Sequence, residues 1–167
     1  FHYELPLDEM LRRKLLRLGR FGKGDFRRGQ ADRDEIARIT NDAAQDGGSV
    51  GYVHCTDWTT GRIAGIIRRE AAAGRCSLAV VDYIQLAVGR DKPGRTDEMA
   101  LALSVADLKT AAEMAGVPVV VVSQVTKEWH GRSGGGPKLT MMDLRGSGQT
   151  AEKANLVLLV WNESVVN

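Results

Sequence analysis

The sequence has no apolar run near the ~20 residues that a membrane-spanning helix needs, so no such helix is expected. Its opening, FHYELPLDEM, is neither basic nor followed by an apolar stretch, so no secretory leader is expected there. Phe1 is not a methionine, and the chain is expected to begin within a longer protein. Cysteine is scarce. Cys55 and Cys76 stand far apart without C-x-x-C spacing, which argues against a thiolate metal site and for two small buried residues in a reducing compartment. No excess of one charge is present. The formal net charge of +2 is too small to argue for a nucleic-acid partner. No repeat at a solenoid period is found. What remains is 43% hydrophobic and 26% charged over 167 residues, the composition of a soluble globular domain large enough for one core.

Charge distribution says more than the total. Residues 8–30 carry Arg12, Arg13, Lys14, Arg17, Arg20, Lys23, Arg27 and Arg28 against Asp8, Glu9 and Asp25. A solvated helix face explains this, and a surface for a polyanion or partner is the alternative.

Leu7, Met10, Leu11, Leu15 and Leu18 recur at helical spacing and predict a helix over 7–18. The glycines of GRFGKGDFRRGQ break it. Asp32 with Glu35 predicts a capped helix to about Gln45. SVGYVHC reads as a strand. Thr59 or Thr60 can cap a helix to about Ala73, buried through Ile63, Ile66 and Ile67. SLAVVD is a strand without polar alternation, which predicts cover on both faces, as in a parallel sheet. The order then repeats. A long helix over 97–115 turns Met99, Leu103, Ala106 and Ala111 inward, VPVVVVSQ forms a second apolar strand, and NLVLLVW forms a third. Strands alternating with helices imply an α/β fold, a mostly parallel sheet flanked by helices in a single domain.

Ligands of open parallel sheets bind beyond the carboxyl ends of the strands. Three such ends carry polar groups: Glu4 after FHY, Asp82 after SLAVV, and Gln124 with Ser123 after VPVVVV. If the strands are neighbours, these side chains converge. A Mg-nucleotide site needs such a set: one or two carboxylates for a metal that keeps several waters, a carboxylate to orient the attacking water, and a neutral amide to sense the terminal phosphate.

The run VVDYIQL, then TDEMALALSVADLKTAAEMAGVPVVVVSQVTKE, then DLRGSG, resembles the RecA-like motor domain of DnaB-type hexameric replicative helicases. FHYELPLDEMLRRKL is similar to the segment that follows the Walker A helix there. The resemblance covers nearly the whole chain, least over 20–75. It implies a RecA-like P-loop NTPase core that uses ATP and Mg²⁺, and a cytoplasmic homohexamer on single-stranded DNA, with primase and a helicase loader as further partners. By position, Glu4 would activate water, Asp82 would hold Mg²⁺ through its water shell, and Gln124 would read the γ-phosphate. Lys127, Arg132, Arg145, Gly146 and Gly148 match the channel positions that hold DNA. Glycines let backbone N–H groups approach phosphates, and Arg forks bind them bidentately. Lys138 reads more simply as a solvated lysine. Trp129 and His130 invite base stacking, with loop packing or a subunit contact the plainer reading. Trp58 and Trp161 read as core or rim residues, His54 as a buried neutral histidine, and Tyr83 and Gln85 as scaffolding, Gln85 as a possible neighbour of the site.

The sequence also departs from that family. No G-x-x-x-x-G-K-[ST] occurs, and GRDKPGRT, with Arg95 in the lysine position, follows the Walker B strand instead of preceding it. Nothing beyond NLVLLVWNES matches the arginine finger. QTAEKANL stands where an acidic run is usual, and Gly146 replaces a glutamate. The chain is therefore expected to be a divergent member, bacterial, phage or plasmid in origin, and a partial motor domain with negligible ATP hydrolysis by itself. Two alternatives stay open: a RecA/RadA- or KaiC-like ATPase, against which DYIQL and DLRGSG argue, and a non-catalytic nucleic-acid-binding module.

Overall fold

The computed structural model describes residues 1–19, 22, 24, 28–30, 32–45, 50–87, 97–125, 139–144 and 151–160. The chain packs as two compact units, one of His2–His54 and one of Phe1 with Cys55–Asn167.

In the first unit, helix α1 (Leu7–Leu18) packs with α2 (Arg33–Gln45). Pro6 precedes α1, where its fixed φ suits a helix entry. Asp8 and Glu9 lie in the first turn and Arg17 in the last, in line with the helix dipole. Arg12 and Arg13 pair with Glu9, Arg13 at 3.2 Å. Part of the basic stretch is thus neutralised on its own helix face. Asp32 caps α2 by accepting from the Asp34 and Glu35 amides at 2.9 and 3.5 Å. Ile39 is its most buried described residue. Of the strand expected over SVGYVHC, the described residues form one parallel bridge, His54 with His2. His54 is exposed and His2 buried, with their rings stacked 5.2 Å apart, so the histidine expected inside is the other one.

In the second unit, α3 (Thr60–Ala72) begins at Thr59, whose hydroxyl accepts from the Arg62 amide at 3.2 Å. Its inward face is Thr60, Ile63, Ala64 and Ile67, while Ile66 is half-buried. It packs on α4 (Asp97–Ala115), which buries Ala100, Leu101, Ala102, Ser104, Val105, Leu108 and Ala111. Met99 is exposed, contrary to its expected inward place, and Leu103 and Ala106 are half-buried. Apolar and polar residues are both spread around the helix, so its periodicity does not single out a face.

Strands β1 (Ala79–Val81) and β2 (Val119–Val121) pair in parallel, with Ala79 opposite Val119 and Val81 opposite Val121. Helix α4 lies between them in sequence and packs against β2. The expected cover on both faces is not found among the described residues. Ala79 and Val81 are buried, but Leu78, Val80, Val120 and Val122 are exposed. The apolar run was right for a parallel strand, yet cover depends on what packs there, which the run does not encode. The third strand is not formed among the described residues either. Residues 156–160 alternate in exposure, with Leu156, Leu158 and Val160 outward, but make no ladder there. Strand propensity supplies no pairing partner. Cys55 is fully buried and Cys76 only partly.

Candidate functional site

The carboxyl ends of β1 and β2 lie side by side, because the ladder is parallel and in register. The pairing runs one step past the strands: the Val122 N–H donates to Val81 O at 2.9 Å, and the Ile84 N–H donates to Val122 O at 3.0 Å. Asp82 stands at the end of β1 with its residue exposed to solvent. Its backbone N–H donates to Phe1 O at 2.9 Å, and the Phe1 amine donates to Val80 O at 2.8 Å. The Asp82–Tyr83 peptide is cis.

A helical turn at 85–87 follows, pinned by the fully buried Ile84 and Ala87. It carries Gln85, half-buried, toward the end of β2. There the Gln85 amide donates to Ser123 Oγ at 2.8 Å and to Gln124 O at 3.5 Å, and its oxygen accepts from the Gln124 N–H at 3.3 Å. Gln124 itself is exposed. Of the three strand-end residues, two therefore occupy neighbouring ends of one ladder. Glu4 belongs to the His2–His54 unit, exposed on a bend.

Just beyond Gln124, Val125 makes an antiparallel bridge with Leu144. Leu144 ends the 3₁₀ turn Met141–Asp143. Asp143 is fully buried, and one of its oxygens accepts from both the N–H and the hydroxyl of Thr140, each at 2.8 Å. The turn at 140–144 is thus anchored by its acid. Sequence reasoning missed this, although T-x-x-D is a capping-box spacing. Gln85, expected as scaffolding and a possible neighbour of the site, does lie beside the end of β2, though its partners are too distant in sequence for the contacts to be read there.

The channel candidates Lys127, Arg132, Arg145, Gly146 and Gly148 lie outside the described residues, as do Trp129, His130, Lys138, Arg95 and Trp161. Trp58 is half-buried, with the Arg62 guanidinium 3.9 Å from its ring centroid and the Phe1 ring 6.5 Å away, a rim position as expected.

One carboxylate among neutral amide and hydroxyl groups suits Mg²⁺, which takes few protein ligands and keeps its waters. Among the described residues no cluster of three or more acidic, His or Cys side chains offers a closed cage for another metal. Asp82 would hold the ion, and Gln124 would offer its amide to a phosphate oxygen, while the Ser123 hydroxyl is engaged with the Gln85 amide.

A parallel ladder joined through a long helix, with a carboxylate and an amide on adjacent strand ends, defines an α/β domain of the RecA-like type. Two solved structures share this fold. One, described as an ATPase domain, superposes with a TM-score of 0.77 at 21% identity, covering 92% of this chain and 55% of that one. The other is a DnaB-like replicative helicase described with its interactions with primase, at a TM-score of 0.76, 21% identity, and 90% and 36% coverage.

In sequence, residues 1–167 match the DnaB-like helicase C-terminal domain family. The chain belongs to that family. It is 27% identical to the replicative DNA helicase DnaB of Pasteurella multocida and 25% identical to that of Geobacillus stearothermophilus. In both matches the whole of this chain aligns, to 36% and 37% of the relative's length. The chain thus spans a little over a third of these curated relatives.

Proposed function

We propose that this chain is the motor part of an ATP-driven replicative DNA helicase that works as a homohexameric ring on single-stranded DNA, moving 5′ to 3′. The observation that carries the reading is the Asp82 and Gln124 pair on adjacent parallel strand ends, in a chain that matches the helicase domain family from end to end.

Bound Mg²⁺ would supply charge neutralisation for the phosphates at this site. Asp82 orients the water shell of that ion. Gln124 would donate its amide to the terminal phosphate, a bond that would be lost once that phosphate has left. The next residue, Val125, is bridged to Leu144. A shift at Gln124 therefore pulls on the backbone just before Arg145, the residue assigned to the DNA. Glu4 is assigned the water-activating role by family resemblance. Head-to-tail rings of this kind place each nucleotide between neighbours. Primase and a helicase loader are the partners this reading implies.

The test uses the full-length protein that carries this chain. It should unwind a forked duplex with ATP and Mg²⁺ and run as a hexamer in native mass spectrometry. Asp82→Asn should abolish unwinding and lower ATP turnover at least ~10²-fold, the scale of a lost catalytic group. A wild-type protein that neither hydrolyses ATP nor unwinds DNA would refute the assignment.

A further inference from the structure

The parallel ladder ends at Val122, whose N–H and C=O are taken by Val81 and Ile84. The next polar backbone groups on that side, the N–H and C=O of Gln124, have no strand beside them among the described residues. Gln85 fills the place. Its side-chain oxygen accepts from the Gln124 N–H at 3.3 Å, and its side-chain nitrogen lies 3.5 Å from the Gln124 carbonyl oxygen. A primary amide presents the same donor and acceptor pair as a peptide, so one side chain stands in for a further rung. The shorter bond to Ser123 Oγ, 2.8 Å, fixes the amide's orientation, and that hydroxyl lies 3.4 Å from the same carbonyl. The buried Ile84 and Ala87 on either side hold the turn from which Gln85 reaches.

We propose that Gln85 is a positioning residue: it extends the ladder by one side-chain rung and so holds Gln124 in fixed register with the turn that follows Asp82. The proposal rests on the reading of Gln124 as the group that meets the terminal phosphate. Gln85 touches neither nucleotide nor metal in this scheme. It acts through Gln124, whose exposed side chain is aimed only as well as its backbone is held. A brace that merely strengthens the fold would behave differently, because its loss would act alike whether or not Gln124 had a side chain to aim.

The experiment is a double-mutant cycle in the full-length protein: wild type, Gln85→Ala, Gln124→Ala and the double variant. ATP turnover is measured with single-stranded DNA, and amide hydrogen exchange is followed over the Val122–Gln124 segment. Gln85→Ala should lower kcat about tenfold, as displacements well under the ~1 Å that costs 10²-fold would do, with KM within about twofold and faster exchange at Gln124. The double variant should be no slower than Gln124→Ala. Losses that multiply in the double variant, or an unchanged kcat in Gln85→Ala, would reduce Gln85 to a brace. If Gln85→Ala does not fold, Ser123→Ala takes its place in the cycle under the same criteria. An inert wild type overturns the helicase reading and this role together, whereas an active wild type with multiplying losses overturns this role alone.

Discussion

Removing the Asp143 carboxylate should loosen the turn that leads to Arg145. Asp143 is fully buried, and one of its oxygens accepts two hydrogen bonds at 2.8 Å, from the N–H and the hydroxyl of Thr140. Hydrogen bonds to a charged acceptor contribute roughly 1.5–3 kcal/mol each. Two considerations reduce the sum. Thr140 is exposed, so its freed donors can turn to water. Replacing the acid also relieves the cost of keeping a carboxylate out of water. Asp143→Ala should therefore cost about 2–3 kcal/mol. Thr140→Ala, which leaves the N–H bond in place, should cost about 1 kcal/mol, as loss of a capping hydroxyl does. Asp143→Asn keeps one acceptor and should fall between them. At roughly 2–4 °C per kcal/mol for a domain of this size, Asp143→Ala lowers the melting temperature by about 4–12 °C. Differential scanning calorimetry reads the shift, and hydrogen exchange at Asp143 and Leu144 reads whether the loosening is local. A melting point within about 1 °C of wild type, well below that expected shift, with unchanged exchange, would mean that the acid anchors nothing.

Further perturbations separate the fold from the chemistry. Ile67 is 1% exposed on the α3 face that meets α4, so Ile67→Ala should destabilise the second unit by about 2–5 kcal/mol. A urea titration showing less than about 1 kcal/mol, below the range for such truncations, would place that packing elsewhere. Glu4→Gln in the full-length protein should still bind ATP while hydrolysing it at least ~10²-fold more slowly, and undiminished turnover would release Glu4 from the water. Arg145→Ala should weaken single-stranded DNA binding for every sequence and flatten the salt dependence by about 0.7 per lost phosphate contact. An unaltered slope would take Arg145 out of the channel.

Local signals in the sequence were followed closely by the structure. The five leucine and methionine positions predicted α1 over its observed span, and Asp32 and Thr59 each cap the helix expected of them. Periodicity and caps act within a few residues, so a chain carries them openly. The adjacent ends bearing Asp82 and Gln124 were also legible, because two apolar runs separated by one long helix can pair in parallel side by side. What was not legible depends on distant parts of the molecule. Val80 and Val120 are apolar yet exposed, since nothing in VVV says whether another layer will arrive. Residues 156–160 have strand composition without a neighbour to pair with among the described residues. Met99 is apolar yet faces outward, and apolar residues spread over several sides of α4 do not declare its inner face. Gln85 reaches groups 38 and 39 residues away, and no local pattern announces that reach.

The ladder beneath the site is short, three residues on each strand, and its partners meet only after the long α4 segment has folded back. Pairing of that kind forms late, since the intervening chain must be closed before any bond rewards it. Whatever grips Asp82 and Gln124 at once would clamp both strands together, and by mass action it would raise the melting temperature with the logarithm of its concentration relative to its Kd. Occupancy and cohesion of this sheet are then two readings of one equilibrium, and a thermal-shift titration with nucleotide follows both.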